Sequence, residues 1–199
     1  MPSLNNIGIV ILAAGSSSRL GKPKQLLQHN NKNLLQHTIN AAVNSDADPI
    51  IVVLGANADE ISKEIDRSNI NVIMNTEWEE GMASSVRNGL NEVLFFSPST
   101  DAVIFMVCDQ PHISSPLLNE LVTTHKETGK AIVTCNYGEA IGPPALFHRS
   151  LFKELMQLKG DVGARNIIQQ HQDEVATVLF PKGQIDIDTK EDYDALKGS

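Results

Sequence analysis

The chain has 199 residues, with 16 Lys and Arg against 24 Asp and Glu and a formal net charge of -8. With 41% hydrophobic and 20% charged residues it carries enough apolar material for one sizeable core, which excludes a disordered chain. The acidic balance excludes broad electrostatic attraction to nucleic acid or an anionic membrane, and leaves room for a small, locally basic pocket for a phosphorylated ligand.

Ile7 to Ala13 is a continuous apolar run rich in β-branched residues, as in a strand covered on both faces. That run could pass for a signal-peptide core, but Met1 to Asn6 carries no basic side chain and the run is too short to span a bilayer. No other segment approaches the roughly 20 apolar residues of a span, so a cytoplasmic setting is expected. Leu34, Leu35, Thr38, Ile39 and Ala42 then make a helical stripe. Ile50 to Leu54 repeats the strand pattern and ends at Gly55. Ile61 and Ile65 mark a shorter helix, and Val72 to Met74 a weaker strand.

Val86, Leu90, Val93 and Leu94 form the next stripe, followed by a strand over Val103 to Val107 that ends at Asp109-Gln110-Pro111. Ser114 and Ser115 before Pro116 predict an N-cap and a first-turn proline for a helix carrying Leu117, Leu118, Leu121 and Val122. Further weak strands are expected at Ala131 to Thr134 and Val175 to Phe180. Gly138 to Pro144 reads as a local excursion, and Asp161 as the cap of a helix through Ile167 and Ile168. Strands alternating with helices predict right-handed crossovers and a mostly parallel twisted sheet in one α/β domain over residues 1–199. Cys108 and Cys135 are too few for a disulfide scaffold and form no CxxC pair; both read as small buried strand-end residues.

In open sheets of this kind, ligands bind beyond the carboxyl ends of the strands. After the first strand comes LAAGSSSRLGKPKQLL, Leu12 to Leu27. A small-residue turn lets backbone N–H groups approach an anion, and Arg19 and Lys24 add charge-assisted donors. The loop is not a Walker A motif, because five residues separate Gly15 from Gly21 and Pro23 follows Lys22; no GxGxxG is present either. A flexible connection with incidental cations is the plain reading. The hydroxyls, glycines and cations gathered between Gly15 and Lys24 favour phosphate binding in a chain that is otherwise acidic.

Asp109 reads either as a turn-forming residue or as a carboxylate placed at the sheet's edge for Mg²⁺. Asp186 and Asp188 occupy alternate positions, so in an extended segment both point to one side. The alternative is an acidic lead into a helix, with Thr189 and Asp192 in capping-box spacing. Ser84 or Ser85 could cap the helix that opens at Met82. Gly160-Asp161-Val162-Gly163-Ala164-Arg165 is a small-residue loop with a cation, or a capped helix start with a surface Arg. His112, a lone histidine, reads as structural or solvated.

Taken together, these strings resemble the nucleotidyltransferases with a pyrophosphorylase-like Rossmann fold, and within them the molybdenum cofactor cytidylyltransferase family and its MobA-like relatives. The likeness runs from the glycine loop through GMASSVRNGL (Gly81 to Leu90), VCDQP (Val107 to Pro111) and GPPALFHRSLFKEL (Gly142 to Leu155). It finishes with LKGDVGAR (Leu158 to Arg165) and DIDTKEDY (Asp186 to Tyr193). It implies a three-layer α/β/α fold of the nucleotide-diphospho-sugar transferase type, and Mg²⁺-dependent transfer of CMP from CTP to the phosphate of molybdopterin, releasing pyrophosphate. It further implies nucleotide binding by Leu12, Ala13, Ala14, Gly15, Arg19 and Lys24, with Ser84 and Ser85 near the base.

Catalysis would fall to Arg19, Lys24 and Asp109. The metal would be held by Asp109 with Asp186 or Asp188, the choice between these two staying open. Acceptor binding would fall to Gly160, Asp161, Gly163 and Arg165. Many relatives carry a histidine where this chain has Pro143, a departure that bears on the acceptor. The implied partners are CTP (or GTP) and a molybdopterin-type acceptor, with transient contact to a molybdoenzyme or its chaperone, and neither nucleic acid nor membrane. The competing expectations are GTP or another phosphorylated acceptor, or a non-catalytic protein that delivers the cofactor.

Overall fold

The computed structural model describes residues 6–197. In chain order these form β1 (Ile7–Ala13), β2 (Gln28–His29), β3 (Lys32–Asn33), α1 (Leu34–Val43), β4 (Ile50–Leu54), α2 (Ala58–Ile61), β5 (Asn71–Met74) and α3 (Met82–Phe96). They continue with β6 (Ala102–Val107), α4 (Ser115–Thr128), β7 (Ile132–Asn136), β8 (Ile141–His148), α5 (Phe152–Leu155), α6 (Arg165–Gln170), β9 (Val175–Leu179) and α7 (Lys190–Lys197). Seven strands make one sheet in the order β5-β4-β1-β6-β8-β7-β9, while β2 and β3 pair as a separate hairpin. Within the seven-stranded sheet, only β8 runs antiparallel to its neighbours.

Both faces of the sheet are covered, which is why the strands read as unbroken apolar runs. Alternate residues of β1 go to opposite layers. Ile7, Ile9, Ile11 and Ala13 join a cluster with Leu35 and Ile39 of α1 and Leu118 and Leu121 of α4. Val10 joins the other layer, with Val86, Leu90 and Val93 of α3 and Ile167 and Ile168 of α6. Burying each of these Val, Leu or Ile side chains contributes about 1.5–3 kcal/mol.

From β1 the chain works outward through β4 to β5, then returns to place β6 on the other side of β1. This reversal of strand order lies between β1 and β6, where Leu12 pairs with Val107. The glycine loop and Asp109 therefore leave the sheet side by side, at the place where an open α/β sheet forms its crevice.

Three expectations need correction. Gly138 to Pro144 is not a mere excursion: its second half opens β8, which inserts between β6 and β7. Prolines argue against a central strand because they cannot donate to a ladder. Here the register shifts from Thr134↔Ala145 to Cys135↔Gly142, so Pro143 and Pro144 fall in the bulge. Asp161 does not cap the helix through Ile167, which has Ala164 at its N-cap; its carboxylate instead accepts from the Met82 amide at 3.4 Å, at the start of α3. Nor do Ser84 and Ser85 cap α3. Gly81 stands at that position, and both serines lie buried inside the first turns. Ser114 does occupy the N-cap of α4, with Pro116 in its first turn.

Candidate active site

Lys24 sits at the centre of the crevice's charged edge. Its ammonium donates to Asp109 Oδ2 at 2.5 Å and to Asp188 Oδ1 at 2.9 Å, and Asp188 Oδ2 accepts from Arg19 at 2.9 Å. Burial of Lys24 disfavours its charge, but the facing Asp109 charge and the hydrogen bonds it donates to both carboxylates prevail, and its pKa is raised. Asp188 is held below its usual value, first by its hydrogen bond with Lys24. Asp186 moves the other way, first through burial and then through the negative charge of Asp109. A carboxylate cluster with one shared ammonium and one exposed guanidinium is short of positive charge.

The C-terminal aspartates flank one buried residue. Ile187 between them is fully buried against Leu27, Leu34, Tyr193 and Leu196, and its amide donates to the Asp109 carbonyl at 3.1 Å. That bond ties the C-terminal segment to the end of β6. The capping box forms: the Asp192 carboxylate accepts from the Thr189 hydroxyl and amide at 2.8 and 2.7 Å, and Thr189 Oγ1 accepts from the Asp192 amide at 3.2 Å. Bonds from the Thr189 hydroxyl and backbone, then the Asp188 amide, lower the Asp192 pKa from its ordinary 3.8. A depressed carboxylate stabilises the fold above its unfolded value, and that contribution disappears as pH falls through the folded one. The stability difference between the natural chain and Asp192→Asn is therefore expected to be constant above about pH 5 and to shrink below about pH 4 in urea titrations.

The first strand's loop is organised by Gln25. Its side-chain amide is buried and donates to the carbonyls of Ala13 at 2.8 Å and Gly15 at 3.0 Å, while the Lys24 amide donates to the Ser17 hydroxyl at 3.0 Å. These bonds orient the turn so that Leu12, Ala13, Ala14, Gly15 and Ser16 line a cleft of about 410 Å³ together with Lys24, Ser85 and Asp109. A Cβ on Gly15 would meet nothing within 4 Å. Packing therefore does not demand glycine there; the open space lies over the backbone that an anion would approach.

The far wall is Trp78 to Met82. Asn75 anchors it by donating to Ser84 Oγ at 2.8 Å and Ser85 Oγ at 3.0 Å. Ser85 reaches the cleft lining; Ser84 lies behind it, donating to the Gly81 carbonyl at 2.8 Å.

A second cavity of about 660 Å³ adjoins the first and shares Leu12, Met82, Val107 and Asp161 with it. Phe105, Phe147, Ile141 and Val86 make it predominantly apolar, with Gly163 and Arg165 at its lining. Gly160 lies outside both linings and accepts from the Ala83 amide at 3.1 Å. Gly81 makes this junction possible. Its φ is +115°, and an added Cβ would stand 2.6 Å from the backbone of Gly160 and Asp161. Gly81→Ala is expected to cost about 1–3 kcal/mol in urea unfolding, through strain and displacement of that loop.

The predicted trio Asp109, Asp186 and Asp188 does not close into a cage: among the described residues no group of three His, Cys, Asp or Glu side chains is placed to hold a metal. The donors nevertheless suit a hard divalent cation. Mg²⁺-like ions take one or two protein carboxylates and complete their shell with phosphate and water oxygens. Two carboxylates already converge on the Lys24 ammonium, and Asp186 feels the negative charge of both, which Lys24 offsets only in part.

Gln25, Asn75 and Trp78 went unpredicted as site residues. Trp78 carried a usable signal, as the single tryptophan, three residues before Gly81; the other two act through bonds that periodicity does not show.

Residues 9–175 match the MobA-like NTP transferase domain family. The chain is 30% identical to the purine catabolism protein PucB of Bacillus subtilis (strain 168), covering 94% of each, and 26% identical to the nicotine blue oxidoreductase of Paenarthrobacter nicotinovorans, covering 81% of this chain and 80% of that one. Its fold superposes on Rv0371c of Mycobacterium tuberculosis H37Rv with a TM-score of 0.85, 29% identity and coverage of 99% and 100%. A structure of Rv0371c in complex with manganese superposes with a TM-score of 0.82, at 27% identity and coverage of 98% and 99%. The chain belongs to the MobA-like NTP transferase family and has the nucleotide-diphospho-sugar transferase fold.

Proposed function

We propose that this MobA-like nucleotidyltransferase transfers CMP from CTP to the phosphate of a molybdopterin-type acceptor, within a single catalytic domain spanning residues 1–199. The observation that carries this reading is the Lys24 ammonium held between Asp109 and Asp188 at the mouth of a cleft floored by the Ala13–Gly15 backbone. Charged edge and bare backbone suit a triphosphate, and the adjoining apolar cavity suits a flat heterocycle carrying a phosphate.

In the proposed reaction an oxygen of the acceptor phosphate attacks the α-phosphorus of CTP. The bond from that phosphorus to the β-phosphate bridging oxygen breaks, and its electrons leave with pyrophosphate. The attacking group is already an anion, so no residue needs to remove a proton from it. What the chain supplies is positioning and charge. Ala13, Ala14 and Gly15 present backbone to the phosphates, Lys24 and Arg19 neutralise them, and Leu12 and Ser85 border the nucleoside side. Ser84 supports Ser85 from behind.

A divalent metal, Mg²⁺ or its analogue Mn²⁺, when held by Asp109 with Asp186 or Asp188, would offset the negative charge of the phosphates. Asp161, Gly163 and Arg165 would face the acceptor, with Gly160 shaping their loop. The reading carries a cytoplasmic setting and a transient hand-over to a molybdoenzyme or its chaperone. The two cysteines are buried free thiols and take no part; burial pushes the Cys108 thiol up to about 12.

Pyrophosphate release with CTP and with GTP, each with Mg²⁺ and molybdenum-loaded molybdopterin, tests the assignment. CTP is expected to turn over faster. Turnover with GTP alone would move the assignment to the guanylyl reaction, and absence of release with either would overturn it in favour of binding and delivery.

A further inference from the structure

Gln110 follows Asp109 directly, yet its side chain lines neither cavity and is only 5% exposed. Its amide nitrogen donates to the Gly183 carbonyl at 2.7 Å and to the Tyr137 hydroxyl at 2.9 Å. The hydroxyl in turn donates to the Pro143 carbonyl. Because the Gly183 carbonyl can only accept, the nitrogen must face it, and Gln110 Oε1 is left buried without a partner. An orphaned buried acceptor in a folded protein calls for a reason; here one amide donor is committed to Tyr137 and the other to the Gly183 carbonyl, which ties the tyrosine to the 181–184 turn.

The tyrosine ring is clamped on bare backbone. A Cβ on Gly142 would lie 2.7 Å from the hydroxyl, a Cβ on Gly183 2.2 Å from the ring, and Phe180 packs edge-on at 6.1 Å between centroids. Four segments meet at this side chain: the end of β6 with Asp109 and Gln110, the exit of β7, the entry of β8, and the turn at 181–184 that leads to Asp186 and Asp188. Tyr137, Gly142 and Pro143 line the apolar cavity, whereas Asp109 lines the polar cleft.

Resting on the molybdopterin reading, we infer that Tyr137 is a positioning residue for the acceptor. Through Gln110 it holds the wall of the acceptor cavity in register with the carboxylate edge, so that the acceptor phosphate arrives opposite the nucleotide. Tyr137→Phe keeps the ring and removes only the hydroxyl. It is expected to raise KM for the pterin about tenfold while leaving KM for CTP within about twofold. Gln110→Met should do the same, and the double variant should be no worse than either single one, because both act through one unit. Equal rises in both KM values, unchanged KM values or additive losses would overturn the inference.

Hydrogen–deuterium exchange decides the coupling without any substrate. In Tyr137→Phe the amides of Gly183 and Ile187, and those of Ile141, Gly142 and Ala145, should exchange faster, with β1 and β4 unchanged. Unaltered exchange on either side of the tyrosine would overturn the coupling. Failure of the natural chain to turn over CTP with the pterin would instead overturn the reaction reading, leaving the exchange result to stand for or against the lock.

Discussion

Asp109→Asn is expected to lower kcat for nucleotidyl transfer by about a thousandfold while leaving the fold intact. The substitution preserves size and shape at the end of β6, and Lys24 keeps Asp188 as a partner at 2.9 Å. What disappears is the carboxylate that follows β6 and lines the cleft, and with it the proposed anchor for a metal around which two polyanions could be brought together. Removing one charge eases repulsion on Asp186 but also takes from Lys24 its main counter-charge, so thermal stability should fall modestly without loss of cooperative melting. Circular dichroism melting and single-turnover kinetics with CTP read the two effects separately. Near-normal turnover would remove Asp109 from the chemistry and favour a protein that carries the cofactor without transferring nucleotide.

Lys24→Met is expected to act in two opposite directions at once. The ammonium is a counter-charge shared by Asp109 and Asp188 and, in the proposed reaction, would donate to phosphate oxygens of CTP. Its removal should lower kcat/KM for CTP about a hundredfold, as loss of a preorganised charge-assisted donor does. The same removal frees Asp109 and Asp188 from their shared competitor for a cation. Mn²⁺ binding without nucleotide, followed by electron paramagnetic resonance, should therefore tighten about tenfold. A lysine that merely closes a surface ion pair would leave turnover unchanged, and one outside the metal's reach would leave Mn²⁺ affinity unchanged. Either result would contradict the arrangement.

Much of this frame is legible along the chain, because unbroken β-branched runs and helical stripes reflect a sheet covered on both faces. Ile7 to Ala13 and Ile50 to Leu54 are strands over those very residues. The glycine loop, Asp109 and the alternating Asp186 and Asp188 could also be read as members of a site from their residue types and positions at strand ends. Their mutual geometry could not. Lys24 meets partners 85 and 164 residues away, a relation set by the strand order β1-β6 and by Ile187 burying itself in the third cluster.

Where the reading failed, a local rule met a tertiary exception. Pro143 and Pro144 argue for a loop until the bulge opposite Cys135 removes the need for ladder donors. Asp161 has the residue type of a cap, and it serves a different helix from the one that follows it. Ser84 and Ser85 fit the composition of an N-cap, but Asn75 draws both hydroxyls inward. Relatives of this fold bear names as different as purine catabolism protein and nicotine blue oxidoreductase, so the frame alone does not select a reaction and the site residues must.

The most direct measurement is therefore the fate of a label on the α-phosphorus of CTP, incubated with the chain, Mg²⁺ and molybdenum-loaded molybdopterin. The label is expected to move into a pterin–cytosine dinucleotide, with one pyrophosphate released for each molecule formed, and Asp109→Asn is expected to abolish this transfer. CTP recovered intact from a protein that binds it, or labelled CMP released as free nucleotide with no pterin product, would contradict the proposed reaction.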